Sequence, residues 1–215
     1  MGVDVQQSRG CPYVILEPRR RAAMKCVAVG WLDGEGPEEL GAALQSVARG
    51  HEVGGIGIDA PRAPLPSPRG WSFGGGEWKR SPRGLTGRHA EVVISSTRLA
   101  NPQWTPLAED APPWMANGFA LFKAAAAVTG ERVYEVFPSA AYRLLAGDDS
   151  VRFELTAGGF ARGPKDLLDA AMAAATVVEY EAGRGSAAGG GDGLGTIILP
   201  RPIPNASPDL MTWPG

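Results

Sequence analysis

The sequence predicts one α/β domain on a mixed sheet, with three antiparallel strands opening the chain, parallel strands following, and helices on the flanks. Three observations carry this. The chain up to Trp31 holds three short β-branched or aromatic runs separated by turn residues. Beyond it, apolar runs that stop at proline alternate with segments of helical spacing. A chain of 215 residues with 44% hydrophobic and 20% charged content can bury one core of ordinary composition.

The opening strands are Val3 to Val5, Tyr13 to Leu16 and Lys25 to Trp31, the last two joined by a turn from Pro18 to Arg21. Pro37 opens a helix with Glu38 and Glu39 in its first turn, and Leu40, Ala43, Leu44 and Val47 form its apolar stripe up to Gly50. Gly54 to Ile58 reads as a short buried strand, halted by Asp59-Ala60-Pro61 because proline cannot continue a ladder. From Pro61 to about Gly87 no periodicity is visible, so this stretch is expected to be a long loop, part of a Pro/Gly/Arg-rich insertion at about 61–112.

Pro113 to Thr129 has helical spacing and ends at Gly130, and Arg132 to Phe137 alternates as a strand that stops at Pro138. A short helix around Ala140 to Leu145 follows, then a long one from Pro164 to about Glu181. Gly183 to Gly195 is expected to be a flexible glycine-rich loop before a last strand, Thr196 to Leu199. An antiparallel opening followed by right-handed crossovers onto parallel neighbours is the ribonuclease-H-like order, here as one domain over residues 1–215.

Composition excludes several classes. Met1 to Gly10 lacks the apolar centre of a secretory signal, and no run approaches the roughly 18 apolar residues that span a bilayer, so no membrane partner is expected. Cys11 and Cys26 match no zinc-ligand or disulfide framework, which points to a reducing cytoplasm. A net charge of −2 does not steer the chain towards nucleic acid, but from Ala60 to Ala100 seven basic residues face two acids, with Trp71, Phe73 and Trp78 interleaved. That stretch could hold a polyanion.

The acids carry the chemistry. Glu135 lies on an alternating strand, on the face of Val133 and Phe137. Asp166 and Asp169 are three apart on a helix and share a face, beside Ala170 and Ala173, small enough for close approach to the sheet. Asp166 also suits the helix N-terminus for its own sake, whereas Asp169 sits deeper in an apolar run, where an unpaired charge is costly. Asp4 stands in an apolar mini-strand and Asp59 ends another, where open α/β sheets place ligands. Such a cluster repels itself without a cation, and hard oxygen donors call for Mg²⁺ or Mn²⁺. Two such ions would suit phosphodiester hydrolysis.

Other motifs carry less. Gly74-Gly75-Gly76 and the glycines from Gly189 to Gly195 lack the context of a phosphate cradle, His51 follows a helix end, and His89 reads as a surface histidine beside Arg88. Arg19, Arg20 and Arg21 read as solvated charge at a hairpin turn.

At the acidic residues the chain resembles a widespread family of predicted nucleases with a ribonuclease-H-like fold, catalogued as domain of unknown function 429. The carrying pieces are Gly2-Val3-Asp4, Gly57-Ile58-Asp59-Ala60-Pro61, Tyr134-Glu135-Val136-Phe137-Pro138, Lys165-Asp166-Leu167-Leu168-Asp169-Ala170 and Ile197-Ile198-Leu199-Pro200, spread over nearly the whole chain. The Asp166-x-x-Asp169-Ala170 element is also similar to the closing helix of Holliday-junction resolvases, where two aspartates join a first-strand aspartate and a middle acid to hold metal. The chain departs from the family in a longer first hairpin, Asp4 to Tyr13, and in the expanded Pro61 to Gly87 loop.

The expectation is therefore a metal-dependent nuclease acting on DNA or RNA. Asp4, Glu135, Asp166 and Asp169 would bind Mg²⁺ or Mn²⁺, Asp59 would complete the catalytic set, and Arg62, Arg88 and Arg98 would hold phosphate. The alternatives are a non-catalytic nucleic-acid-binding module and a small-molecule phosphohydrolase; self-association into a homo-oligomer is compatible with either.

Overall fold

The structure is a computed structural model and describes residues 1–7, 10–19, 22–154 and 163–215. The chain opens as a meander: β1 (Gly2–Asp4), β2 (Cys11–Glu17) and β3 (Met24–Leu32) pair antiparallel in turn. Then α1 (Pro37–Gly50) leads into β4 (Ile56–Asp59), which returns parallel to β1. After the insertion, α3 (Pro113–Thr129) leads to β7 (Val133–Val136), parallel to β4. The chain continues through α4 (Pro138–Leu144), a two-residue strand β8 (Phe153–Glu154), α5 (Pro164–Glu181), β9 (Ser186–Gly189) and β10 (Thr196–Leu199), and closes with α6 (Pro208–Met211). The eight strands form one mixed sheet in the order β8-β3-β2-β1-β4-β7-β10-β9.

Side-chain alternation gives the sheet two different faces. Val3, Ile56 and Ile58 point to one of them, which α1 and α3 cover with Leu40, Leu44, Leu121 and Phe122. Gly2 and Gly57, one residue out of phase, point to the other, where α5 lies. A Cβ on Gly2 would stand 2.1 Å from the Ala170 carbonyl oxygen, and one on Gly57 would stand 3.0 Å from that of Ala173. Glycine on the strands and alanine on the helix thus let two backbones nearly touch, and the small-residue stripe expected beside Asp169 meets the sheet through it.

Several elements differ from the sequence expectation. The Pro61 to Gly87 stretch contains an antiparallel hairpin, β5 (Trp71–Gly74) with β6 (Glu77–Arg80). Its turn residues Gly75 and Gly76 sit at φ 65° and 86°, a conformation glycine adopts without penalty. The insertion also holds α2 (His89–Ser96), whose eight residues are too few to show a period. The Gly183 to Gly195 stretch contains β9, paired antiparallel with β10, with glycines in the turn between them. His89 is completely buried, contrary to its reading as a surface residue. Its Nδ1 accepts from the Gly191 amide at 3.1 Å, so Nε2 carries the proton and donates to the Leu210 carbonyl at 2.9 Å. Arg19 pairs with Glu154 at 3.3 Å, while Arg20 and Arg21 lie outside the described residues. Among the described residues no helix is long and apolar enough to cross a membrane.

Candidate functional site: a carboxylate cluster at the strand ends

The parallel pairing of β1 with β4 sets Asp4 directly beside Asp59, in register at the carboxyl ends of adjacent strands. Both follow the alternation of Gly2 and Gly57, so both face α5. That helix runs back over the sheet with its first turns above the same strand ends, bringing Asp169 and Asp166 into electrostatic reach of Asp4, and Asp169 into reach of Asp59. Asp4 and Asp59 therefore lie side by side, with Asp169 within electrostatic reach of both and Asp166 within reach of Asp4.

The electrostatics show the strain of this gathering. Asp4 is 7% exposed. Burial pushes its carboxyl up; a 2.6 Å hydrogen bond from the Gln6 amide opposes the shift, the charges of Asp169 and Asp166 add to it, and the result is about 7. Burial likewise raises Asp59 well above the ordinary range, followed by repulsion from Asp4, Asp169 and Glu135. Lys165 supplies the counter-charge: its Nζ lies 2.5 Å from Asp169 Oδ2, one helical turn away, with the side chain 81% exposed. A second neighbour is Tyr142 on α4, within electrostatic reach of Asp169. Burial, the Asp169 contact and the charges of Asp59 and Asp4 all push its phenol upward.

Glu135 stands apart. It is in register with Ile58, not Asp59, so alternation puts it on the α1/α3 face of the sheet. There its carboxylate is spanned by Arg88, whose Nη1 donates to Oε2 at 2.8 Å while Nη2 donates to Oε1, and the Arg62 amide donates to Oε2 at 3.1 Å. The Arg88 Nη2 and Nε also donate to Glu91 Oε1 at 2.7 and 3.1 Å, and the Thr105 amide and hydroxyl complete the Glu91 carboxylate. Burial opposes the charge on Arg88, but two carboxylates more than restore it, and its pKa lies above the ordinary arginine value. Burial also pushes the Glu135 carboxyl up, yet two-point contact with a guanidinium holds it as a carboxylate.

These positions correct three expectations. Glu135 does not join Asp4 and Asp169 around one point, because strand parity sends it to the opposite face. Arg88 is 1% exposed and spends its donors inside the protein, so it presents none to a phosphate. Arg98 is exposed beyond the last residue of α2, about 12 Å of helix away from the Arg88 end. Arg62 remains beside the cluster, its backbone on Glu135 and its guanidinium on the Val133 carbonyl at 2.7 Å. Among the described residues, no three His, Cys, Asp or Glu side chains converge closely enough to hold a metal ion as they stand.

Two residues of the cluster were not expected. Lys165 had a legible signal in its four-residue spacing from Asp169. Tyr142 had none, since only the packing of α4 on α5 brings it there. Beside Asp59 a small cavity of about 70 Å³, room for about two waters, is lined by Glu135, Glu91, Gln103, Trp114 and Phe137. A larger cleft, about 900 Å³, opens at the opposite ends of the strands, where Arg19, Arg132 and Arg184 are already paired with glutamates. Of the cluster, only Asp59 lines the small cavity, which it shares with Glu135 and Glu91; Asp4 and Asp169 lie on the α5 side of the same strand ends.

Compared with protein-family models, with curated proteins and with solved structures, the chain matches none.

Proposed function

We propose that the chain is a divalent-metal-dependent phosphodiesterase of ribonuclease-H-like fold, acting on nucleic acid. The observation that carries this is the in-register pair Asp4 and Asp59 under Asp169, three carboxylates whose mutual repulsion a cation would relieve. The donor set is all hard oxygen, which fits Mg²⁺ or Mn²⁺ once the Lys165 ammonium moves off Asp169. When bound, such an ion supplies a water acidic enough to act as nucleophile and a counter-charge for the leaving oxygen. The antiparallel meander followed by parallel strands supports the fold reading.

The chain's own residues then have distinct tasks. Asp4, Asp59 and Asp169 are the ligand candidates, with Asp166 at the margin. Gln6 fixes the rotamer of Asp4 through its 2.6 Å hydrogen bond. Glu135, locked by Arg88 and the Arg62 amide, shapes the wall of the small cavity and adds negative charge towards Asp59. Lys165, exposed and cationic, can swing to a phosphate oxygen when it leaves Asp169.

A second reading has its own observation. Lys165 and Arg88 already neutralise Asp169 and Glu135, as a binding module without catalysis would need. Hydrolysis of a small chromogenic phosphodiester with Mn²⁺ separates the two. Turnover that Asp59→Asn abolishes supports the enzyme, and its absence at millimolar Mn²⁺, with the protein folded, supports the module.

A further inference from the structure

We propose that the insertion forms a track for single-stranded nucleic acid, in which unpaired arginines take phosphates and two guanidinium–indole stacks take bases. Four arginines make the basic surface: Arg62, Arg69, Arg80 and Arg83. Among the described residues none of them lies within ion-pair distance of a carboxylate, whereas Arg19, Arg132, Arg184 and Arg201 elsewhere on the surface are each paired. In a molecule of net charge −2, four arginines of one segment without an acidic partner among the described residues make a local surface for a polyanion.

The aromatic partners narrow the kind of polyanion. The Arg80 guanidinium lies 4.1 Å from the Trp71 ring centroid, and the Arg69 guanidinium lies 4.4 Å from that of Trp104. Stacked guanidinium and indole planes accept a base on the outer face of the pair, and a base can do this only when its own face is free. Duplexes hide those faces, and single strands expose them. Arg69 adds a further demand: its Nε and Nη1 are shielded from solvent and make no hydrogen bond, so the cation beside Trp104 is not internally satisfied.

The track also leads somewhere. Arg62 is three residues past Asp59 and its amide holds Glu135. The segment bearing Arg69 is tied to that of Trp104 by the Leu65 amide on the Pro106 carbonyl at 2.8 Å. Next to Trp104, Thr105 holds Glu91, which shares Arg88 with Glu135. A strand laid on Arg80, Arg69 and Arg62 in turn would thus arrive at Glu135 and the small cavity beside Asp59. Only this last step rests on the proposed hydrolysis.

The test is fluorescence anisotropy with labelled single-stranded DNA and RNA oligomers and a duplex of equal length, in EDTA so that no turnover intervenes. Wild type should bind the single strands at least tenfold more tightly than the duplex. Arg69→Gln with Arg80→Gln should weaken binding at least tenfold and lower the salt slope by about 1.4, at about 0.7 per lost phosphate contact. Arg80→Gln with Arg83→Gln, both exposed, should weaken binding in the same direction, with circular dichroism confirming that this pair folds as wild type does. Trp71→Leu should lower affinity with little change in salt slope, and Arg132→Gln should change nothing. Equal affinity for duplex and single strand, or unchanged binding in both arginine pairs, overturns the track. A chain that cleaves the small diester but binds no oligomer also overturns the track and leaves the chemistry standing. One that binds oligomers as described and cleaves nothing does the reverse.

Discussion

Asp4 and Asp59 occupy paired positions on adjacent parallel strands and point the same way, under the helix that carries Asp169. Two carboxylates so placed cannot both ionise at ordinary cost, and each raises the other's pKa.

The sign of the resulting pH dependence follows. Asp4 has its folded value raised to about 7 from 3.8, so between those values the folded state holds a proton that the unfolded state has released. Stability from this group is therefore full below about pH 4 and declines as pH rises towards 7, by up to about 1.4 kcal/mol per pH unit for one proton. Glu179 and Glu181, held low by arginines, have the opposite slope, so the comparison must be with a variant. Asp4→Asn should be more stable than wild type above pH 7 and converge with it below pH 4, as read from urea unfolding across that range. Parallel curves would mean that Asp4 does not carry a raised pKa.

Lys165 is the cation the cluster has to hand. Lys165→Met should lower stability at neutral pH without metal and tighten Mn²⁺ binding by about two- to fivefold, a modest factor because the side chain is exposed. Calorimetric titration reads the affinity directly. Weaker Mn²⁺ binding in the variant would show that Lys165 supports the cation site and does not compete with it.

Arg88 is the buried centre of the insertion's attachment to the sheet. Arg88→Met leaves Glu135 and Glu91 buried without their cation, at a cost of about 3–5 kcal/mol, and Arg88→Lys should recover only part because one ammonium cannot span both carboxylates. Adding Glu135→Gln to Arg88→Met should restore some of the loss. Urea midpoints that do not change with Arg88→Met would remove the network from the account.

Much of this arrangement was written in the chain, and the unread parts have physical reasons. The antiparallel opening, the proline-stopped strands and the three longest helices follow from local pattern, because each is long enough to show its period or is bounded by proline. So does the place of Asp4 and Asp59 at strand ends, since each closes a short apolar strand. Parity also lay in the sequence. Counting alternate residues from Ile58 and Val136 puts Asp59 and Glu135 on opposite faces, but only once the register of β4 with β7 is known. The hairpin Trp71–Arg80, the strand β9 and the helix α2 are too short to carry a period, and the glycines of the hairpin and of β9 read as loop. The fates of Arg88, His89 and Tyr142 are set by tertiary packing, for which a single sequence holds no local sign.

The most direct test of the central claim, that Asp4, Asp59 and Asp169 form one cation site, is thermal unfolding with and without saturating Mn²⁺. Binding to the folded state alone at a hundredfold excess over Kd contributes about 2.7 kcal/mol. At this chain length that corresponds to a rise of about 5–10 °C in Tm. Asp59→Asn and Asp169→Asn should each abolish most of the rise, and Glu135→Gln should retain it in whatever fraction folds. A Tm that Mn²⁺ raises equally in wild type, Asp59→Asn and Asp169→Asn would contradict the account.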